Sequence, residues 1–114
     1  MSSVASQRAQ GTMELDDLER AALDRLAQLM REEKNGPAPM IDEARVFRRL
    51  NGEIVVPVMI HASQPDLHLA LLMARKAEQV YRQTGCRFVP VQRPDQDPEQ
   101  ATYLWTEGGW QTLP

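Results

Sequence analysis

The chain has 114 residues, of which 42% are hydrophobic and 25% charged, and its net charge is −3. Such a length and composition are typical of one globular domain, and the weak negative charge argues against nucleic acid, because phosphate binding needs a basic surface. The single cysteine excludes an intramolecular disulfide, and no apolar run approaches the roughly 20 residues that span a membrane.

The N-terminal residues 1–12 are small and polar without periodicity, which predicts a disordered tail ahead of a single α/β domain at 13–114. The tail lacks the apolar run of a signal peptide, so we expect a cytoplasmic protein. From Met13 onward, apolar residues recur at three- and four-residue steps and predict a helix with one apolar stripe. Asn35-Gly36-Pro37 is predicted to end this helix.

Residues 41–50 allow two interpretations. Asn51-Gly52 is a strong hairpin signal, which favours a strand at 44–50 paired with the apolar run at 53–60. Apolar residues at 41, 44, 47 and 50 instead fit a short helix, and of the two we prefer the hairpin. Pro57 lacks a backbone donor, so it predicts an edge position or a bulge near the middle of the second strand.

The stretch that follows predicts a second helix from 64 to about 84. Ser63 is the predicted N-cap, with Asp66 reaching back as in a capping box, and Gly85 is predicted to end the helix. The helix is apolar over most of its circumference, which indicates that it is covered on more than one side. We therefore expect Leu71→Ala to cost roughly 2–5 kcal/mol. One predicted stripe consists of Leu67, Ala70, Leu71, Ala74, Ala77 and Tyr81.

The C-terminal third predicts a short strand at 87–91, a polar loop at 92–100 and a closing hairpin. If Glu107-Gly108 is the turn, Trp105 faces Trp110 and Tyr103 faces Thr112. The order α-β-β-α-β-β predicts an α+β fold: a two-layer α/β sandwich with two helices on one face of a mostly antiparallel four- to five-stranded sheet. This order and size are loosely similar to those of the small acidic secretion chaperones, which are dimeric α/β sandwiches.

Few residues suggest chemistry, and no catalytic residue, metal site or cofactor is predicted. His61 ends a buried strand just before a helix, where α/β proteins often bind anions. Together with Ser63 in the helix cap and Cys86 at another element end, it defines a possible ligand-binding site. The simpler interpretations are a histidine that bonds to backbone and a cysteine buried as a small apolar side chain. The acids at 95, 97 and 99 lack the pattern of a calcium loop.

Two functions follow as hypotheses. Tyr103, Trp105 and Trp110 lie on a terminal hairpin, and aromatic residues are enriched at protein interfaces. The leading hypothesis is a small non-enzymatic protein-binding or assembly module, adaptor- or chaperone-like and homodimeric, whose partner is a protein or a second copy. The alternative is a small enzyme or anion-binding subunit with its site near His61, Ser63 and Cys86. The arginines at 45, 48 and 49 are interpreted as a solvated face rather than a phosphate site.

Overall fold

The computed structural model describes residues 15–32 and 40–113. They form an α+β fold of two helices and a six-stranded sheet, which confirms the predicted class. The elements in chain order are α1 (Asp17–Arg31), β1 (Met40–Ile41), a 3-10 turn (Glu43–Arg45), β2 (Phe47–Arg48), β3 (Ile54–Ile60), α2 (Leu67–Thr84), β4 (Phe88–Pro94), β5 (Thr102–Thr106) and β6 (Gly109–Leu113). The predicted tail at 1–12 and helix stop at 35–37 lie outside the described residues.

The sheet has the strand order β1-β3-β4-β5-β6, with β2 also paired to β3. Every pair is antiparallel except β3 and β4, which run parallel along their whole length. The parallel pair follows from the helix between them, because α2 must cross over the sheet before β4 can begin at the same end as β3. The prediction of a mostly antiparallel sheet is therefore confirmed. Both helices share one buried cluster with the sheet, as predicted for two helices on one face.

Both interpretations of residues 41–50 are partly correct. Phe47 and Arg48 pair antiparallel with Val55 and Ile54, as the hairpin predicts, and Gly52 turns the chain with a φ of 92°. Just before this hairpin, the chain forms the 3-10 turn rather than a longer strand. The helical spacing of apolar residues thus marks a single short turn, and the strand after it is only two residues long.

Pro57 lies in the middle of an interior strand, yet it occupies a local gap in the pairing. Its carbonyl accepts from the N–H of Asp42 at 2.9 Å, so its backbone nitrogen points toward the same side, where β1 has ended and β2 has not begun. No ladder donor is needed there, since the 3-10 turn interrupts the neighbouring strands. The predicted edge position is thus realised locally within β3.

The core lies between the sheet and the two helices. α1 begins after Asp16, whose side chain accepts from the N–H of Glu19 at 2.7 Å in a capping box. Its apolar stripe packs against α2 and against alternate residues of β3, while Glu19 forms an ion pair with Arg48 across to β2. The buried cluster includes Leu23, Leu26, Met30, Ile54, Val56, Val58, Met73, Ala77, Val80 and Phe88. α1 therefore covers one flank of α2 and leaves the other flank open.

α2 differs from the sequence prediction at its start. Asp66, not Ser63, is the N-cap, and its carboxylate accepts from the N–H of Leu69 at 3.2 Å. A long-range contact fixes this position: the buried amide of Gln92 accepts from the N–H of Asp66 at 2.8 Å and donates to its carbonyl at 2.7 Å. Gly85, with a φ of 79°, ends the helix as predicted.

Candidate functional site

The aromatic residues of the C-terminal hairpin form one cluster on the helix side of the sheet. The register pairs Trp105 with Trp110 and Tyr103 with Thr112, as predicted. The two indole rings meet edge to face with centroids 5.2 Å apart, and Tyr103 lies at 6.4 Å from Trp110. All three side chains are only partly buried. The cluster is therefore ordered by its own ring contacts while part of each ring stays in solvent.

An open cleft separates this cluster from α2; its volume is about 240 Å³. We call it the aromatic cleft. One wall is the aromatic cluster, the floor includes Phe88 and Pro90, and the other wall is α2. The α2 wall consists of Ala70, Met73, Ala74, Ala77, Glu78 and Tyr81.

Four residues of the predicted apolar stripe line this cleft, namely Ala70, Ala74, Ala77 and Tyr81, and of these only Ala77 belongs to the core cluster. The buried residues of α2 are Met73, Ala77 and Val80, with 1%, 6% and 0% exposure, and Met73 and Ala77 contact both the core cluster and the cleft. Leu67 and Leu71 are 43% and 49% exposed, so the prediction that the helix is covered on more than one side is wrong for this flank. Because residues three and four apart share a helix face, both leucines extend the apolar wall toward solvent.

Charged groups lie at the margin of the cleft. Arg87 places its guanidinium 3.9 Å from the ring centre of Tyr81, a cation–π contact that orients the arginine. Glu53 and Glu78 also line the cleft. The lining of the cleft is thus mostly apolar and aromatic, together with the buried amide of Gln92 and charged groups of both signs.

Asp97 fixes the tyrosine of the cluster. The hydroxyl of Tyr103 donates to Asp97 at 2.9 Å, and the same carboxylate accepts from the N–H groups of Glu99 and Ala101. These bonds, the backbone bond from Glu99 first, lower the pKa of Asp97, while the bond to Asp97 raises the pKa of Tyr103. The predicted polar loop at 92–100 therefore begins only after β4 ends at Pro94, and it is built around an aspartate that is 8% exposed.

A second polar group forms where the two parallel strands end. His61 follows β3 and Asp95 follows β4; the imidazole Nδ1 lies 2.9 Å from the carboxylate, and Gln96 approaches the other ring nitrogen at 3.3 Å. Asp95 also accepts from the N–H of Ala62 at 3.1 Å. Their hydrogen bond raises the pKa of His61 and lowers that of Asp95. The sequence did not identify Asp95 as a partner, because the predicted strand stopped at residue 91 and its parallel pairing with β3 was not part of the prediction.

The three residues of the predicted ligand site do not come together. Ser63 is exposed in the loop after His61. Cys86 is 9% exposed, belongs to the core cluster and precedes β4, at the opposite end of the parallel pair from His61. The register Ile54 to Phe88 and Ile60 to Pro94 separates the two ends by roughly 20 Å. The interpretation of Cys86 as a small buried side chain describes its place in the structure.

Comparison with known proteins adds no functional information, because no family model, curated protein or solved structure matches the chain. Within residues 15–32 and 40–113, no three His, Cys, Asp or Glu side chains are grouped so that they could share a metal ion. Neither of the two described helices has the length and apolar character that a membrane span requires.

Proposed function

We propose that this chain is a small non-enzymatic protein-binding or assembly module that binds through the aromatic cleft. The observation that carries the proposal is the position of Trp105 and Trp110. They form one wall of an open cleft. The exposed Leu67 and Leu71 lie one helical turn from Ala70 and Ala74 of the opposite wall. Tryptophan and tyrosine supply many binding hot spots because they bury a large area at a small entropic cost.

The shape of the cleft favours a protein surface over a small molecule. Pockets for drug-sized ligands typically enclose about 300–1,000 Å³ and bury most of the ligand, whereas this cleft holds about 240 Å³ and opens along one flank of α2. A side chain or a strand from a partner can enter such a cleft while the rim residues exclude water around it. Adaptor- or chaperone-like action in the cytoplasm is part of the same proposal.

The arginines at 45, 48 and 49 support a protein partner rather than nucleic acid. Each forms an ion pair, with Asp42, Glu19 and Glu53 respectively. A phosphate would have to compete with those carboxylates, and the net charge of the chain is negative.

The test compares two exposed leucines on different helices. Leu71→Asp places a charge beside the α2 wall of the cleft, and Leu18→Asp places the same charge on α1, where Leu18 is 58% exposed. The dissociation constant is measured for self-association of the purified chain. It is also measured for any partner that has been isolated with the wild type, identified, and shown to bind it again as a purified protein. We expect Leu71→Asp to weaken association by about tenfold or more, because a charge would be desolvated, and Leu18→Asp to leave it unchanged.

Two results would contradict the proposal. One is that folded Leu71→Asp and Trp110→Ala variants associate as tightly as the wild type. The other is that the wild type shows neither self-association nor a reconstituted partner at concentrations up to about 100 µM.

The His61 and Asp95 pair supports a second candidate function, the binding of a small anion. One observation favours it: His61 lies at the carboxyl end of a parallel pair, and its pKa is raised. The Asp95 carboxylate opposes an anion there, which is why this function ranks second. An NMR titration with phosphate tests it, with the exposed His68 as internal control. A phosphate-dependent rise in the pKa of His61 alone would support binding, and equal behaviour of both histidines would refute it.

A further inference from the structure

We infer that a second copy of this chain pairs with the β6 edge of the sheet, beside the aromatic cluster. This inference rests on the proposed function, an assembly module, and names an edge and a partner for the assembly. β6 ends the strand order, and its sequence Gly-Trp-Gln-Thr-Leu carries no charge and no proline. Natural edge strands are usually protected by charged residues, proline, bulges or short length. At the other side of the sheet, β1 and β2 have only two residues each.

The hairpin register shows which backbone groups of β6 are available. Thr106 and Gly109 flank the two-residue turn and pair with each other, so they exchange hydrogen bonds. In an antiparallel ladder such pairs alternate with pairs that share no bonds. The N–H and C=O groups of Trp110 and Thr112 therefore point away from β5, toward the edge that no strand within residues 15–32 and 40–113 covers.

A second copy can satisfy these groups by two-fold symmetry. If β6 pairs antiparallel with its own copy about Gln111, then Trp110 of each copy lies opposite Thr112 of the other, and all outward groups find partners. In this register Gln111 of one chain lies opposite Gln111 of the other chain, at the two-fold axis. Like charges directly opposite would destabilise such a pair, and β6 has no charged side chain to create that conflict. Its composition thus suits pairing with itself.

The same symmetry brings the aromatic clusters of the two copies together. A two-fold axis perpendicular to the sheet keeps the helix faces of both copies on the same side. Trp110 faces that side, next to the edge, so the rings from the two copies lie beside the axis and cover each other's exposed parts. A five-residue strand buries little area by itself, whereas a stable dimer buries about 800 Å² from each partner. The aromatic cluster supplies apolar surface beyond the strand.

Opposite charges at Gln111 test the inference without disturbing the fold, because this side chain is exposed. Gln111→Lys and Gln111→Glu are each examined by light scattering and sedimentation across a concentration series. The wild type should be a dimer that dissociates on dilution. Each variant alone should dissociate about tenfold more readily, because two like charges face each other at the axis. An equimolar mixture of the variants should regain the wild-type mass. Gln83→Lys, at an exposed position late in α2, is the matched control and should behave as wild type.

Two outcomes would overturn the inference. The first is a wild-type chain that stays monomeric across the concentration series. The second is a wild-type dimer whose dissociation constant is the same in Gln111→Lys, in Gln111→Glu and in their equimolar mixture. Neither outcome by itself refutes the proposed function. That function fails if a partner binds the Leu71→Asp and Trp110→Ala variants as tightly as the wild type, or if the wild type binds neither itself nor a reconstituted partner. A monomer that binds an extended peptide along β6 would show that the edge accepts a different strand.

Discussion

Two side chains only two positions apart on α2 should respond very differently to truncation. Met73 is 1% exposed and lies in the core cluster, so Met73→Ala should leave a cavity and cost about 2–5 kcal/mol. Leu71 is 49% exposed. Full burial of a leucine contributes about 1.5–3 kcal/mol, so a half-exposed one should cost about 1 kcal/mol, and the vacated space opens to solvent. This value of about 1 kcal/mol replaces the loss of roughly 2–5 kcal/mol in unfolding free energy that the sequence alone predicts for Leu71→Ala.

The measurement is urea unfolding of both variants and the wild type, with the midpoint and the slope fitted separately. Helix propensity does not distinguish the pair, because leucine and methionine are similar in this respect. Protein is kept dilute, so that self-association does not contribute to the stability of Leu71. Equal losses for the two variants would show that the helix is rotated from the orientation described, and the assignment of its open flank to the aromatic cleft would fail.

Three further changes test other parts of the structure. Gln92→Leu should cost about 2–4 kcal/mol in urea unfolding, because it removes two hydrogen bonds and leaves the N–H of Asp66 without its partner; an unchanged midpoint would mean that the loop is held by other contacts. Gly85→Ala should cost about 1–2 kcal/mol, since its φ of 79° is unfavourable for an L-residue, and a gain would contradict the left-handed cap. The raised pKa of His61 means that its pairing with Asp95 stabilises the fold fully below the ordinary histidine pKa of about 6.5 and less as pH rises through the folded pKa. The difference in unfolding free energy between wild type and Asp95→Asn should therefore shrink from about pH 6 to pH 8, and a constant difference would refute the pairing.

The C-terminal hairpin could be predicted from sequence to the level of individual pairs. Its turn, its alternation and its register are all local, so Trp105 opposite Trp110 follows from counting residues on either side of Glu107-Gly108. The end of α2 at Gly85 was predicted for the same reason, because a glycine that adopts a positive φ ends a helix without help from distant residues.

The start of α2 could not be predicted, because distant residues determine it. Ser63 and Asp66 are both good N-caps, and the amide of Gln92, 26 positions further on, favours Asp66 by binding its backbone. The candidate sites depend on similar contacts. His61 meets Asp95 only because β3 and β4 are parallel, and the apolar stripe of α2 lines a cleft only because α1 packs on the opposite flank.

The gap at Pro57 limits how far this protein could assemble. On that side of the sheet the neighbouring strands are short and are interrupted by the 3-10 turn, so the described part of the chain offers no continuous run of backbone groups to another molecule. A sheet with long open edges on both sides could add copies indefinitely and grow into a fibre. In a sheet that can be extended only at β6, formation of the dimer leaves no unpaired edge for a third copy. Association through β6 would therefore stop at two copies, and the product would remain a discrete particle even at high concentration.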